Sequence, residues 1–291
     1  MVLINDLKPF KDEWRICVKL LHSWKSKTDY GGESFECIFV DKTGKKIHAS
    51  CKRSLMFRVQ RDTQKGEWRE VENFKISAAG GQYRPSNFQY KMTIIGDTVI
   101  RPTNYRNDNH FLSLASYEDI SKGECKPYFL IDVMGHIVDL GGVAVVQLQN
   151  GENRKRVQFR LRDTSGNELA CCLWGTYAEQ IETHVEESKD ESIICLIRFA
   201  KIKEFRGEVQ ITNAFDGSVL MLNPTMEEAI DFKQKLLQED LPLALLGQTD
   251  EKSLSLNNQL IIGMRLTLDV FLRYVLLLRL SPAKSSVLLK L

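Results

Sequence analysis

Two aromatic residues and a set of cations carry the chemistry this sequence offers. Trp174 closes the run Leu169-Ala-Cys-Cys-Leu173, and Phe205 sits inside Lys201-Ile-Lys-Glu-Phe-Arg-Gly207. Arg154, Lys155, Arg156, Arg160 and Arg162 lie upstream of Trp174, while Lys201, Lys203 and Arg206 flank Phe205. Flat rings beside positive charge are what a single strand of nucleic acid needs. A base stacked on an aromatic ring is worth about 1–3 kcal/mol, and cations neutralise the phosphates. Arg156, Arg160 and Arg162 share parity, so a regular strand puts them on one face. Phe205 falls at an expected hairpin tip, where burial would give it little. Trp174 also fits a barrel core, and the arginine run also fits a plain solvated strand face, so those readings stay open.

Covalent chemistry has no such support. The five histidines, His22, His48, His110, His136 and His184, show no metal-ligand spacing, and neither a P-loop nor a GxSxG turn occurs. The seven cysteines are odd in number and form no CxxC, which argues against a zinc ribbon or a disulfide framework. The expectation is a binding protein with no catalytic residues, no metal and no cofactor. A reading as an enzyme would need a catalytic domain, for which the chain has little room beyond its two modules.

The elements that position these residues follow from an internal repeat. Phe35-Glu-Cys-Ile-Phe-Val-Asp41-Lys-Thr-Gly44 followed by Lys45–Cys51 aligns with Val157-Gln-Phe-Arg-Leu-Arg-Asp163-Thr-Ser-Gly166 followed by Asn167–Leu173, at a constant offset of 122 residues. Each reads as strand, turn, strand. The aspartate can fold onto nearby backbone N–H groups, and the glycine supplies the positive φ that closes the hairpin. Each hairpin has a strand-like run before it (Trp14–Trp24, Pro127–Asp139). A short helical stretch follows it (Arg53–Val59, Gly175–Ile181), and then two more strands (Glu72–Ala78 and Phe88–Ile95; Ser192–Lys203 and Glu208–Ala214).

Three strands, a helix and two strands is the order of the OB-fold, a five-stranded Greek-key barrel. The fold class expected is therefore mainly β. Two tandem OB barrels span 1–102 and 127–223, joined by a linker over 103–126 and followed by a helical tail over 224–291. In the first module Lys52 takes the place of Trp174, and Tyr83 and Arg84 lie on the hairpin equivalent to that of Phe205. Trp24 and Lys25 lie in the first inter-strand loop, and Arg53 follows the third strand. The first module reads as gripping phosphates more and stacking bases less.

The net charge of +2 announces no polyanion-binding protein, but its distribution is uneven. Residues 1–120 carry +5, residues 121–240 carry −6 and residues 241–291 carry +3. The acidic surplus of the second module lies near its helix, at Glu179, Glu182, Glu186, Glu187, Asp190 and Glu191, away from the arginines. The N-terminus lacks the apolar core of a signal peptide. The apolar stretch Leu260–Leu280 holds Arg265, Asp269, Arg273 and Arg279. Each would cost about 2.5–3.5 kcal/mol at mid-bilayer, so an amphipathic helix is expected there and no membrane span.

The stretches Leu161–Gly175 and Ala200–Gly207 resemble the second DNA-binding OB domain of the large subunit of replication protein A. Residues 3–102, with Ala79-Gly-Gly-Gln-Tyr-Arg-Pro85 and Tyr90-Lys-Met-Thr-Ile94, resemble the N-terminal OB domain of its plant-type relatives. The resemblance covers about 1–225. It implies a nuclear protein that binds single-stranded DNA in replication, repair and recombination. It places the two stacking aromatics of the second domain on Trp174 and Phe205 and the hairpin aromatic of the first on Tyr83. It also implies the other replication protein A subunits as partners. The third OB domain and zinc ribbon of that subunit have no visible counterpart, which marks a truncated or divergent member. DNA against RNA stays open, as does a competing reading in which the barrels form a protein-interaction scaffold.

Overall fold

The computed structural model describes residues 1–239 apart from 12, 28–30, 149–150 and 189–191. The stretch Leu260–Leu280, Asp190 and Glu191 lie outside the described residues. Among the described residues, no helix is long and apolar enough to cross a membrane.

The first sheet is built from β1 (Arg15–Lys27), β2 (Glu33–Val40) and β3 (Lys46–Lys52), then helix α1 (Arg53–Asp62), then β4 (Trp68–Glu72), β5 (Lys75–Ala78), β6 (Tyr90–Ile94) and β7 (Val99–Pro102). Alternation puts Phe35, Cys37 and Phe39 of β2 and Ile47, Ala49 and Cys51 of β3 into one core with Ile16, Val18, Val59, Val71, Phe74 and Met92. The run expected as one strand, Glu72–Ala78, is broken. β4 pairs with β1 and β5 pairs with β6, and Asn73 at φ 59° sits at the break. One broken strand thus serves two neighbours. With β3 parallel to β6, this closes the ring.

The second sheet follows helix α2 (Tyr117–Ser121). It holds β8 (Ile131–Val138), β9 (Ala144–Gln147), β10 (Asn153–Arg162) and β11 (Glu168–Trp174), then helix α3 (Thr176–Glu187), then β12 (Ile194–Phe205), β13 (Glu208–Thr212) and β14 (Val219–Leu222). Helix α4 (Glu227–Glu239) follows, at the start of the tail expected to be helical. β8 lies between β10 and β12, β10 pairs with β11, β11 runs parallel to β13, and β13 returns to β12. That ring is the five-stranded Greek key of the OB fold. β12 bends where β4 and β5 break, at a bulge between Ile197 and Ala200 with Phe199 at φ 53°. The short strands β7, β9 and β14 add to the edges and were not expected from the sequence.

The two hairpin turns form as the repeat implies. The Asp41 carboxylate accepts from the N–H of Thr43 (2.9 Å) and Lys45 (3.2 Å), and that of Asp163 from Ser165 (2.9 Å) and Asn167 (2.8 Å). Gly44 and Gly166 take φ of 85° and 80°. Asp41 does more than its counterpart: it is buried and also accepts from the Ile4 N–H at 2.8 Å.

The segment expected as a linker makes contacts with both sheets. The carbonyl of Asn107 accepts from Trp68 Nε1 and from Lys19 Nζ, each at 3.0 Å, and Lys19 Nζ also reaches the Asn109 carbonyl. Tyr117 and Ile120 of α2 join the second core, and the Tyr117 hydroxyl donates to the Met134 carbonyl at 3.0 Å. Gly135 permits this approach, since a Cβ there would lie 2.1 Å from that hydroxyl.

The two barrels also touch directly. Phe199 leaves the second barrel and packs with Leu21, Ile38 and Val40 of the first. Burying a ring of that size stabilises by about 1.5–3 kcal/mol. Beside it, the buried Asp132 carboxylate accepts from the Phe199 N–H (3.1 Å) and Ser113 N–H (3.2 Å), and pairs with Arg198 (3.3 Å) and with Lys46 of β3 (3.7 Å). Burial holds the Lys46 ammonium below its ordinary pKa, with Asp132 acting against that fall.

Candidate nucleic-acid interface

The strand register assembles the candidate residues of the second barrel into one outer surface. Arg156 stands opposite Trp174 across β10 and β11. The next row runs Gln158, Cys172, Thr212, Lys201, and the row after it Arg160, Ala170, Gln210, Lys203. At the far end Arg162 faces Glu168, and Phe205 faces Glu208. The intervening residues Val157, Phe159, Leu161, Leu169, Cys171 and Leu173 point into the core. Arg156, Arg160 and Arg162 therefore share a face, as their parity implies.

Local structure fixes the two aromatics differently. Trp174 is half-buried at the end of β11, and its N–H donates to Asn213 Oδ1 at 2.9 Å. Gly175 follows with φ 64° and starts α3. Phe205 is 44% exposed on the β12–β13 hairpin, which turns through Arg206 and Gly207 at φ 55° and 80°. Two successive positive φ values make this a tight two-residue hairpin turn. Arg206 lies 5.3 Å from the Phe205 ring centroid.

The cations are not equally free. Arg160 reaches Glu208 at 2.8 Å and Glu168 at 3.6 Å, Arg162 reaches Glu168 at 2.7 Å, and Lys155 reaches Glu182 at 2.9 Å. Arg156 has no carboxylate partner among the described residues and instead lies 5.7 Å from the Trp174 ring centroid. Burial, then the neighbouring Lys203 charge, pulls the Lys201 ammonium below its ordinary pKa. Burial pushes the Cys172 thiol up, opposed by Arg156 and Lys203, so Cys172 stays a neutral thiol on this face.

The first barrel uses the equivalent face otherwise. At the offset of 122, Ile38 and Val40 stand where the second barrel has Arg160 and Arg162. Phe199 covers that half of the face. Trp24 and Lys25, expected in the first inter-strand loop, lie instead within β1, which stays paired with β2 to its end. The other half of the face carries Trp24, stacked between His22 (5.5 Å) and His48 (5.9 Å), with Gly217 of the second barrel close against its indole. Glu36 lies beneath, 2.7 Å from His48 Nε2. Burial alone would raise the Glu36 pKa, yet hydrogen bonds from His48 and Ser34 carry it below its ordinary value. Lys52, Lys25 and Arg53 are exposed, and Arg53 lies 3.3 Å from Glu33.

Tyr83 and Arg84 lie at the junction of the barrels. Arg84 packs on the rings of Tyr128 (5.0 Å) and Phe129 (4.6 Å), and its backbone bonds to Tyr128 and Leu130. Tyr83 remains 36% exposed at φ 63°, with Lys201 Nζ 4.3 Å from its ring centroid. Lys201 thus joins the candidate residues of the two modules. Gln210 and Thr212 complete the second face and were not singled out by sequence, since uncharged strand residues carry no distinctive signal. A cleft of about 1120 Å³ lies between the Thr43–Lys46 turn, Pro85–Asn87 and Phe129–Asp132, and neither Trp174 nor Phe205 lines it.

Residues 121–223 match the family described as the replication protein A OB domain, and residues 5–123 match a domain of unknown function, DUF223. The replication protein A 70 kDa DNA-binding subunit of Drosophila melanogaster is 24% identical over 237 residues, 78% of this chain and 37% of that protein. The chain is distantly similar to the replication protein A large subunit. Its counterpart from Danio rerio is 24% identical over 79% of this chain and 37% of its own length. A counterpart from the plant Oryza sativa subsp. japonica is 21% identical over 82% of this chain and 26% of its own length. The chain therefore spans well under half the length of these relatives. A replication protein A heterotrimer solved bound to ssDNA superposes with a TM-score of 0.56 at 16% identity, covering 82% of this chain and 55% of that one. At that identity the likeness is one of fold, and it agrees with two sheets arranged as tandem OB barrels. The face of Trp174 and Phe205 falls wholly within the replication protein A OB match.

Proposed function

We propose that this replication protein A-like chain binds single-stranded DNA without catalysis, chiefly across the outer face of its second barrel. The observation that carries the reading is the register that aligns Arg156–Trp174, Lys201, Lys203 and Phe205 on one surface. Stacking rings at both ends of a cationic sheet suit an unpaired strand and do not suit a duplex, whose bases are already stacked. In the first barrel we assign phosphate contacts to Lys52, on the half of the face that Phe199 leaves open, and to the exposed Lys25 and Arg53, which lie off that face. Nothing in this chemistry reads the 2′-hydroxyl, so RNA is a second substrate of the same face.

The reading treats 1–102 and 127–223 as the two modules and 103–126 as the segment that joins them. By analogy with its relatives we assign the chain to the nucleus, to replication, repair and recombination, and to contacts with other replication protein A subunits. The test is fluorescence anisotropy of a labelled oligo-dT at several salt concentrations, for the parent and for Trp174→Ala with Phe205→Ala. The parent should bind with a steep salt dependence, and the double variant should bind at least about tenfold more weakly. Undetectable or salt-insensitive binding by the folded parent would overturn the reading in favour of a protein-interaction scaffold.

A further inference from the structure

We propose that Phe215 is a third stacking platform, set at the junction of the barrels to hold the base that passes between them. The inference rests on the single-strand reading above and adds a residue to it.

Phe215 is 70% exposed, more than Phe205 or Tyr83. It follows β13 directly, two residues after Asn213, whose side chain holds the Trp174 N–H. It therefore lies beyond the Trp174 end of the face, opposite the end marked by Phe205. Lys201 Nζ is 4.2 Å from the Phe215 ring centroid and 4.3 Å from that of Tyr83. One ammonium thus contacts two rings, one from each barrel, and offers a phosphate partner between them.

The turn that presents the ring is anchored on every side. The Ala214 N–H donates to Ser218 Oγ at 2.7 Å, and Ser218 Oγ donates to the Phe199 carbonyl at 2.8 Å. The Tyr177 hydroxyl donates to the Ser218 carbonyl at 2.8 Å, and the Asp216 carbonyl lies 3.2 Å from His22 Nε2 of the first barrel. Phe215 itself takes φ 45°, a left-handed conformation that an aromatic residue rarely adopts. A rigid, strained turn that leaves a large ring in solvent contributes little to folding. It is arranged as a preorganised platform would be. The ring lies against the Lys201 ammonium, which fits a base next to its phosphate better than a greasy protein patch.

The test measures binding of an oligo-dT of about 30 nucleotides, long enough for two OB folds, to the full chain. Phe215→Ala should weaken binding about fivefold or more, Phe215→Trp should bind as the parent does, and Phe215→Leu should behave as Phe215→Ala. Parent-like binding by Phe215→Ala, or recovery by leucine equal to that by tryptophan, would overturn the inference and leave the single-strand reading standing. Should Phe215→Ala melt at a lower temperature, the tryptophan and leucine variants decide. A parent that fails to bind overturns the single-strand reading, and this inference with it.

Discussion

Arg156 and Trp174 stand directly opposite one another on β10 and β11, with the guanidinium carbon 5.7 Å from the indole centroid. The guanidinium lies beside the indole and is free of carboxylates among the described residues, so it can take a phosphate while the ring takes the adjoining base. Arg156→Ala should lower affinity for oligo-dT and reduce the slope of log K against log salt by about 0.7, the value for one phosphate contact on a single strand. An unchanged slope would place the contact elsewhere.

Arg160 is the opposite case, held by Glu208 at 2.8 Å on an exposed part of the face. A pair of this kind is worth about 0–1 kcal/mol. A strand must displace Glu208 before it gains the arginine. Glu208→Gln should therefore tighten binding by up to about fivefold at low salt. Weaker binding in that variant would mean that Glu208 itself contacts the ligand.

The contact between the barrels centres on Asp132, which is 2% exposed and faces Arg198 and Lys46. Asp132→Asn keeps the shape and leaves the buried Arg198 and the half-buried Lys46 without their carboxylate. The expected loss is about 3–5 kcal/mol, read by denaturant unfolding. Hydrogen exchange should also rise at Ile38–Val40, which Phe199 covers. A loss of stability without faster exchange there would confine the role of Asp132 to the second barrel.

Much of this architecture was readable because it is local and periodic. Asp41 and Asp163 fold onto backbone groups within four residues, and parity alone put Arg156, Arg160 and Arg162 on one side of β10. What was missed is long-range or breaks the period. Asn73 splits a strand with one residue, too little to disturb a pattern of alternation. Ile38 and Val40 make the second half of β2 apolar on both faces. A strand of that kind needs cover on both sides, but the run does not say that Phe199 of the other barrel provides it. Trp24 and Arg84 could be picked out by type, yet their engagement with Gly217 and with Tyr128 and Phe129 depends on how the barrels meet. Phe215 is a different omission. The lone aromatic in Asn213-Ala-Phe-Asp-Gly217 has the same turn setting that singled out Phe205.

His22 makes the junction sensitive to acid. Its ring stacks on Trp24 at 5.5 Å and on Phe199 at 6.3 Å, and burial lowers its pKa below the ordinary 6.5 despite the nearby Asp216 carbonyl. The unfolded chain takes up a proton near 6.5, and the folded chain does so only at lower pH. The contribution to stability is therefore complete above that pH and is lost as pH falls towards the folded value. Melting curves between about pH 7.5 and 5.5 should fall more steeply for the parent than for His22→Gln. Parallel curves would remove His22 from the account.

The duplicated turn offers an internal control on burial. Asp41 and Asp163 accept the same pair of backbone N–H bonds within their own hairpins, but Asp41 is 1% exposed and also holds the Ile4 N–H of the N-terminal segment. Removing a partner from a buried donor costs about 1–3 kcal/mol, whereas donors freed at an exposed turn are satisfied by water. Asp41→Ala should therefore lower unfolding free energy by about 1–3 kcal/mol more than Asp163→Ala. It should also speed hydrogen exchange at Ile4 while leaving the second barrel's exchange unchanged. Equal losses in the two variants would show that the hairpin bonds alone matter and that the tie to Ile4 adds nothing.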